Sequence, residues 1–168
     1  LIDELKKSGI KVGVIEGDIA GKIDAEKMAE RGIPVVQLNT DGACHIEAMS
    51  IKNILPQFDL DHLDIIIIEN IGNLVCPAEF DIGESLKVAL LSIPEGDDKV
   101  EKYPLMFTRA DALVLTKYDL INYFEFNEER VEKNALIRND ELKLFKVNSK
   151  NEDDIKEFKN WLISKIEE

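Results

Sequence analysis

Short apolar runs alternate along the chain with segments whose apolar residues recur at helical spacing. The run IIIIE at residues 65–69 is made mostly of β-branched residues, which is typical of a strand buried on both faces. Ile155, Phe158, Leu162 and Ile166 instead follow the spacing of one helical face. Strands of the buried type that alternate with helices predict an α/β domain with a mostly parallel sheet and helices on both faces.

The pattern divides the sequence into six strands and five helices. The predicted strands lie at residues 11–16, 34–38, 65–69, 87–92, 111–115 and 143–147. The predicted helices lie at residues 1–9, 24–31, 44–55, 128–136 and from 152 onward. Gly9 and Gly32 are expected to end the first two helices, and Asn127 and Asn151 to cap the last two.

Acidic residues outnumber basic ones, with 34 Asp and Glu against 21 Lys and Arg, which gives a net charge of −13. This charge argues against nucleic acid and anionic membranes as partners. No apolar run approaches the roughly 18 residues that a membrane-spanning helix needs. Cys44 and Cys76 are the two cysteines. Two cysteines do not suggest a disulfide framework, so we predict a protein of the reducing cytoplasm.

Carboxylates follow the first and third predicted strands. Ligands of open α/β sheets collect at the carboxyl ends of strands, so Asp18, Asp24 and Glu69 are candidate Mg²⁺ ligands, with Asp18 and Glu69 as the candidate catalytic residues. For Asp24 an alternative stays open, because an acidic residue at the start of a helix also complements the helix dipole. Glu69 closes a strand predicted to be buried, where a carboxylate needs a partner. Gly72 follows and would allow the backbone to move with the state of a bound nucleotide.

The segment TKYDL follows the fifth strand and resembles the Asn/Thr-Lys-x-Asp motif with which GTPases recognise guanine. Asp119 would accept hydrogen bonds from the N1–H and the exocyclic amine of guanine, a donor pair that adenine lacks. Lys117 would lay its aliphatic stem along the base. The motif therefore predicts a guanine nucleotide as ligand.

Asn148, Ser149 and Lys150 follow the last strand. They resemble the S-A-K loop that closes over guanine in GTPases, where a backbone N–H meets the O6 atom. Asn148 replaces the first serine of that loop. An ordinary turn that leads to the Asn151 cap is an equally good interpretation of these residues.

Cys44 and His45 are adjacent just before a predicted helix. One interpretation is a small core thiol, since Cys44 has helical spacing to Ala48 and Ile51. The other is a metal site, because a thiolate is stabilised near a helix N-terminus and imidazole suits Ni²⁺ and Zn²⁺. Two ligands leave a four-coordinate site incomplete. A second copy of the chain on a two-fold axis would complete it, with Cys76 as a further ligand.

Longer stretches carry a more specific resemblance. EGDIAGKIDAEKMAERGIPVVQLNT, CHIEA, DIIIIENIGNLVCPAEFDIGE and EGDDKVEKYPLMFTRADALVLTKYDL together resemble the hydrogenase nickel-incorporation GTPase family, HypB. The stretch ENIGNLVCP followed by EGDDK and KYP is more specific than any general GTPase motif. The urease-maturation GTPases fit less well, because they typically carry Cys-Pro-His and lack ENxGNLxCP.

The resemblance implies a P-loop fold of the SIMIBI type, GTP hydrolysis with Mg²⁺, and a homodimer modulated by GTP or GDP. It also implies delivery of nickel to the large subunit of nickel–iron hydrogenase, together with other maturation proteins. Cys44 and His45 would bind Ni²⁺ or Zn²⁺ near the dimer interface, with Cys76 beside them. Nucleotide state would then change dimerisation and metal affinity.

One departure from the family pattern is serious, since G-x-x-x-x-G-K-S/T occurs nowhere in the sequence. In the family this P-loop lies just upstream of the helix that matches residues 1–9. We therefore expect residues 1–168 to be a single, N-terminally truncated G-domain that lacks a central strand, binds nucleotide weakly and does not hydrolyse it. The alternatives are a metal-binding dimerisation module or scaffold without hydrolysis, and a urease-type nickel-insertion GTPase.

Overall fold

A computed structural model describes residues 1–18, 23–40 and 42–167, without the side chains of Asp18 and of residues 23–25. The chain divides into two compact units, residues 1–83 with 165–168, and residues 84–164. Each unit contains one three-stranded sheet whose strand pairs are all parallel. The predicted α/β class with parallel strands and helices is confirmed.

The first unit is built around strand β1, which lies between β2 and β3. Its strands are β1 (Val12–Asp18), β2 (Val35–Asn39) and β3 (Ile65–Glu69). Its helices are α1 (Ile2–Lys7), α2 (Ile23–Glu30), α3 (Ala48–Ile54) and α4 (Cys76–Glu79). Glu16 of β1 lies opposite Gln37 of β2 and Glu69 of β3, so the three strands end at the same edge of the sheet.

The second unit repeats this arrangement with β5 between β4 and β6. Its strands are β4 (Val88–Ser92), β5 (Ala112–Thr116) and β6 (Lys143–Val147). The remaining helices are α5 (Lys99–Lys102), α6 (Pro104–Arg109), α7 (Glu128–Arg138) and α8 (Glu152–Ile166). Thr116 pairs with Ser92 on one side and with Val147 on the other, so the loops after these strands also begin at one edge.

Each unit has its own apolar core. In the first unit the buried cluster consists of Ile15, Leu38, Ile46, Ile51, Phe58 and Ile82. In the second unit the central strand is the most deeply buried, with Leu113 fully inaccessible. Phe145 of β6 packs against Phe158 of α8 with ring centroids 5.2 Å apart, in the tilted geometry that aromatic pairs favour.

The strand predictions agree with the structure to within two residues at each end, and residues 65–69 and 143–147 keep the predicted bounds. Gly9 and Gly32 follow α1 and α2 with φ of 83° and 67°, the left-handed conformation expected after a helix. Asn127 caps α7, since its Oδ1 accepts a hydrogen bond from the backbone N–H of Arg130 at 3.0 Å.

The predicted burial of β3 is wrong. Its four isoleucines are only partly buried, and Glu69 is exposed. The cause is topological, since β3 is the edge strand of its sheet and pairs with β1 alone among the strands described. Glu69 therefore does not need the partner that a buried carboxylate requires.

The segments between β3 and β4 and between β4 and β5, where the sequence pattern predicts no helix, contain short helices. Cys76–Glu79 forms α4 and Lys99–Lys102 forms α5. A capping box formed by Ser92 and Glu95 opens the turn after β4. The sequence pattern missed α6 altogether. None of the helices in the described parts of the chain combines the length and apolar character needed to cross a membrane.

Candidate metal centre and nucleotide loops

The segment with Cys44 and His45 is not helical, contrary to the prediction for residues 44–55. Helix α3 begins at Ala48, and Glu47 in the N-cap position has an extended backbone with φ of −95° and ψ of 145°. Cys44 and His45 therefore lie in a bend before the helix. Cys44 is exposed, which rules out the interpretation as a core thiol on a helical face.

Hydrogen bonds to other parts of the chain explain why the helix starts late. The Oδ1 atom of Asn70, just after β3, accepts from the backbone N–H of Ile46 at 3.1 Å and from that of Ile71 at 2.8 Å. At the other end of the segment, Thr40 Oγ1 donates to the carbonyl of Ala43 at 3.0 Å. The Thr40 bond engages the Ala43 carbonyl, which would accept the first bond of a helix starting at Cys44, and Asn70 holds the backbone of Ile46 at the end of β3.

Three metal-binding side chains meet at this bend. The Sγ atoms of Cys44 and Cys76 are 2.6 Å apart, and His45 Nδ1 lies 3.7 Å from the Sγ of Cys44. One donor atom from each residue lies within 4.8 Å of the other two. The cluster combines a segment that follows β2 with a segment that follows β3. The structure therefore brings together the three residues that the sequence singled out as metal ligands.

Asn73 connects the two cysteine segments. Its Nδ2 donates to the carbonyl oxygen of Cys44 at 2.6 Å. Its Oδ1 accepts from the backbone N–H groups of Val75 at 3.0 Å and Cys76 at 2.9 Å. The amide thus caps the first turn of α4 and holds the backbone of the other cysteine at the same time.

Phe80 orients the imidazole of His45. The two rings are stacked with centroids 3.8 Å apart and an angle of 9° between their planes. Phe80 is 45% exposed, so the stacked pair of rings lies at the protein surface. Neither Asn73 nor Phe80 was identified from the sequence. For Asn73 a signal existed, since an Asn in a loop commonly accepts from the backbone N–H two residues further along.

The donor set suits a soft or borderline divalent metal, because thiolates and imidazole bind Ni²⁺ and Zn²⁺ well. Two thiolates on one tetrahedral ion lie roughly 3.8 Å apart, given metal–sulfur bonds of about 2.3 Å. The thiols of Cys44 and Cys76 would therefore separate by about 1 Å on binding. In the metal-free form the hydrogen bond with Cys44 raises the pKa of the Cys76 thiol. A metal must displace these thiol protons.

The candidate Mg²⁺ ligands belong to the same unit. Asp18 ends β1, where its backbone pairs with Asn39, and Asp24 lies in α2. The side chains of both lie outside the part of the chain that the structure describes. Glu69 ends the adjacent strand with an exposed carboxylate. Gly72 is exposed, and a methyl group at its Cα would meet nothing within 4 Å.

The predicted guanine loops lie side by side in the second unit. Lys117 follows β5 in the left-handed conformation with φ of 53°, and Asp119 is exposed in the 3₁₀ turn that comes next. Ser149 and Lys150 form an exposed turn after the neighbouring strand β6. Because β5 and β6 are paired, both loops leave the same edge of the sheet.

Asn148 shapes the second of these loops. Its Oδ1 accepts from the backbone N–H of Lys150 at 3.0 Å, and its own N–H donates to Asp154 Oδ2 at 3.0 Å. The asparagine that replaces the usual serine thus closes the turn. This turn leads into α8, which both interpretations of the loop allow.

Tyr118 inside the TKYD segment is held in place by two charged residues, Glu128 and Lys146. Its hydroxyl donates to Glu128 Oε2 at 2.5 Å, and the other oxygen of Glu128 forms an ion pair with Lys146. The Lys146 Nζ lies 5.7 Å from the centroid of the Tyr118 ring. The hydrogen bond with Glu128 raises the pKa of Tyr118. This arrangement was not visible in the sequence, because its three residues come from separate elements.

Comparison with known proteins agrees with this geometry. Residues 1–146 match the model of the CobW/HypB/UreG nucleotide-binding domain. The hydrogenase/urease maturation factor HypB of Helicobacter pylori is 39% identical over 162 residues, which cover 94% of this chain and 67% of that protein. The chain belongs to the HypB family. HypB of Escherichia coli, a hydrogenase maturation factor, is 40% identical over 156 residues, and the chain spans 54% of its length.

Solved HypB structures share the fold. The crystal structure of Helicobacter pylori HypB in complex with nickel superposes with a TM-score of 0.89 at 37% identity, covering 95% of this chain and 76% of that one. The HypB structure from Archaeoglobus fulgidus gives the same TM-score at 32% identity, with 98% of this chain covered and 80% of that one. The predicted membership in a family of P-loop GTPase-like proteins is thus confirmed.

Proposed function

We propose that this chain carries the nickel site and the guanine-recognition loops of a GTP-dependent metallochaperone for nickel–iron hydrogenase maturation. The observation that carries the proposal is the convergence of Cys44, His45 and Cys76, whose donor atoms lie within 4.8 Å of one another. These donors come from different segments but meet at an accessible bend. That arrangement is suited to an ion that has to be handed on.

Nickel is the cargo in this proposal. The thiolates of Cys44 and Cys76 and the imidazole of His45 would hold it, and Zn²⁺ can occupy the same donors. Cys44 and His45 alone leave a four-coordinate ion two ligands short. A second copy of the chain on a two-fold axis would supply the same pair, with Cys76 as a further ligand, which is why we propose a homodimer with the metal at its interface.

Guanine recognition is assigned to the two neighbouring loops of the second unit. Asp119 would accept from N1–H and the exocyclic amine of the base, and Lys117 would pack along it. Ser149 and Lys150 would close over the base and offer a backbone N–H to O6. The exposure of Asp119 agrees with a carboxylate that is open to a ligand.

The phosphate end would involve the residues at the edge of the first sheet. We assign Asp18 and Glu69 to Mg²⁺ and the attacking water, with Asp24 and Gly72 close to the phosphates. Bound Mg²⁺ would neutralise charge that develops on the transferred phosphoryl group. The 168 residues contain no G-x-x-x-x-G-K-S/T sequence, so we expect hydrolysis only from a polypeptide that adds this motif.

The proposed partners follow from the family. They are other hydrogenase maturation proteins and the hydrogenase large subunit, with nucleotide state controlling dimerisation and the release of nickel. Nucleic acid and membranes are not among them. We propose a cytoplasmic location, which fits the free thiols of Cys44 and Cys76, because a reducing compartment keeps such pairs reduced.

The test is a Ni²⁺ titration of the full-length gene product and of Cys44→Ala, His45→Ala and Cys76→Ala. We expect each substitution to weaken binding at least tenfold and to remove or shift the thiolate-to-nickel charge-transfer absorption. His62→Ala is the matched control, because His62 is an exposed histidine paired only with Asp59 among the contacts described. Unchanged affinity and stoichiometry in all three variants would refute the nickel site.

A second candidate function is a metal-binding dimerisation module without hydrolysis, favoured by the lack of a P-loop sequence within these residues. GTP and ATP competition on the full-length gene product, with and without Asp119→Asn, separates the two. Preference for GTP that Asp119→Asn abolishes, together with phosphate release, supports the GTPase. Nickel binding without GTP preference or phosphate release supports the module instead. The urease-type alternative is tested by measuring whether nickel is transferred to apo-urease or to the hydrogenase large subunit.

A further inference from the structure

We propose that Asn73 is a positioning residue that keeps the two thiols of the metal centre next to each other. The proposal rests on the proposed function, since it concerns the ligands Cys44 and Cys76. Asn73 contacts no donor atom in the described structure. It acts on the backbone of both cysteines through the two ends of one side-chain amide.

The orientation of the Asn73 amide is fixed by its three partners. Two backbone N–H groups, those of Val75 and Cys76, point at Oδ1, and one backbone carbonyl, that of Cys44, faces Nδ2. If the oxygen and the nitrogen were exchanged, the two backbone N–H groups would face the NH₂ group, and the Cys44 carbonyl would face the amide oxygen. None of the three hydrogen bonds could then form. The side chain is half-buried, and its bond to the N–H of Cys76 is the part-buried one of the three.

The first function of Asn73 is to hold Cys76. Helix α4 has four residues and therefore forms a single turn, which is not stable without tertiary support. The N–H of its first residue, Cys76, is satisfied by Asn73 Oδ1, and the N-cap residue Val75 makes no side-chain cap. Loss of this acceptor would free the turn that orients the Sγ of Cys76.

The second function is to hold Cys44 next to it. Cys44 lies in a bend. Ile46, two residues after it, donates its backbone N–H to Asn70 Oδ1. Among the hydrogen bonds described, that of Asn73 Nδ2 is the one that joins the Cys44 backbone to the Cys76 segment. Removing this donor would leave the carbonyl of Cys44 without a described protein partner and let the two segments separate.

The expected magnitude follows from other metal sites. Residues that orient metal ligands without binding the metal typically change its affinity by about 10- to 100-fold. Asn73→Ala removes both functions. Asn73→Asp is close to isosteric and keeps an oxygen for the cap of α4, but it sets a second acceptor against the Cys44 carbonyl. Since Asp at this position retains an acceptor for Cys76, we expect Asn73→Asp to fold; it breaks the link to Cys44 and adds a negative charge beside the thiols.

The chain contains a matched control. Asn139 in the second unit makes the same kinds of bond, with Nδ2 donating to the carbonyl of Ala110 at 2.8 Å and Oδ1 accepting from the N–H of Glu141 at 3.1 Å. Both amides reach a carbonyl 29 residues earlier in the sequence. Asn139→Ala therefore measures what the loss of such an amide does to the protein in general.

The experiment compares Ni²⁺ affinity and the charge-transfer spectrum of the full-length gene product and its variants. We expect Asn73→Ala and Asn73→Asp to weaken nickel binding about 10- to 100-fold and to shift the spectrum, and Asn139→Ala to leave both unchanged. Nickel binding that is unchanged in both Asn73 variants would overturn the proposal. Equal losses in Asn73→Ala and Asn139→Ala would also overturn it.

A metal-free measurement tests the position of the thiols directly. Oxidised glutathione converts two neighbouring cysteines to a disulfide. One thiolate displaces a first glutathione and the second cysteine then displaces the other, so two reduced glutathione molecules form. We expect Cys44 and Cys76 to form this disulfide severalfold more slowly in Asn73→Ala than in the parent protein and in Asn139→Ala. Equal rates would contradict the assigned role of Asn73.

Cys44→Ala separates the two proposals. If this variant binds nickel as well as the parent protein does, the proposed nickel site fails, and the disulfide rates alone decide whether Asn73 positions the thiols. If Cys44→Ala loses nickel while both Asn73 variants keep it with an unchanged spectrum, the nickel site stands and the role of Asn73 fails.

Discussion

Gly17 and Ile46 are in such close contact that a methyl group at the Cα of Gly17 would lie 2.5 Å from the Cδ1 of Ile46. The same methyl would lie 2.8 Å from the carbonyl oxygen of Glu69. Ile46 is fully buried and follows His45 directly. The end of β1, where Asp18 lies, is therefore packed against the segment that carries the metal ligands.

We expect Gly17→Ala to destabilise the protein by about 1–3 kcal/mol, because the carbonyl of Glu69 belongs to a paired strand and cannot move aside cheaply. Urea unfolding of the two proteins measures the difference. Gly72→Ala is the control, since a methyl there meets nothing within 4 Å, and we expect a change within about 0.5 kcal/mol. Equal stabilities for Gly17→Ala and Gly72→Ala would show that the contact is relaxed in solution.

Phe80→Leu should weaken nickel binding without abolishing it. The substitution keeps an apolar side chain but removes the ring that stacks on His45. Aromatic pairs contribute about 0.5–1.5 kcal/mol beyond their buried area, and only the part that holds the ring ready for the metal affects binding. We therefore expect a loss of affinity of up to about 12-fold, smaller than that of His45→Ala. Phe124 is also 45% exposed, which makes Phe124→Leu the control in the same titration. A Phe80→Leu protein with parental affinity would show that stacking does not orient the imidazole.

The phenol of Tyr118 should ionise at a higher pH than a free tyrosine, because its hydrogen bond to Glu128 favours the protonated form. A raised folded pKa stabilises the native state below the unfolded pKa of about 10, and this contribution is lost as the pH rises through the folded pKa. Ultraviolet absorbance measured against pH follows the formation of phenolate. The ionisation at the higher pH should be absent from Tyr118→Phe, which assigns it to Tyr118. Glu128→Gln should return the pKa towards its ordinary value, and a titration insensitive to this change would argue against the bond.

Leu113→Ala should strongly destabilise the second unit. The side chain is fully buried in the central strand β5, and such truncations typically lose about 2–5 kcal/mol of stability. Leu90→Ala in the neighbouring strand β4 is the comparison, since Leu90 is 59% exposed and we expect less than about 1 kcal/mol. Thermal or urea unfolding distinguishes the two. Similar losses at both positions would mean that Leu90 is covered in the protein in solution.

The strands were predictable because each is a short apolar run bounded by polar or turn residues, as at 65–69 and 143–147. The burial of β3 was not predictable. A run of β-branched residues indicates a strand, but how many neighbours the strand has depends on the topology of the whole sheet. The exposure of Glu69 follows from the same fact.

The metal ligands were identified from the resemblance, whereas periodicity alone left Cys44 open as a core thiol. The helix predicted over residues 44–55 failed in its first turn, where two side chains distant in sequence, Asn70 and Asn73, bind the N–H of Ile46 and the carbonyl of Cys44. Such long-range competition has no signature in a local pattern. The same limit concealed the contact of Phe80 with His45 and that of Tyr118 with Glu128.

The three candidate ligands are joined only once β1 has β2 on one side and β3 on the other, since Cys44 follows β2 and Cys76 follows β3. In the unfolded chain these side chains lie on segments about thirty residues apart, so the unfolded chain binds the ion only weakly. An ion that binds only the native arrangement shifts the folding equilibrium towards it by mass action. Nickel would then act as a reporter of chain maturation, because a newly made molecule would acquire its cargo only after this sheet is complete.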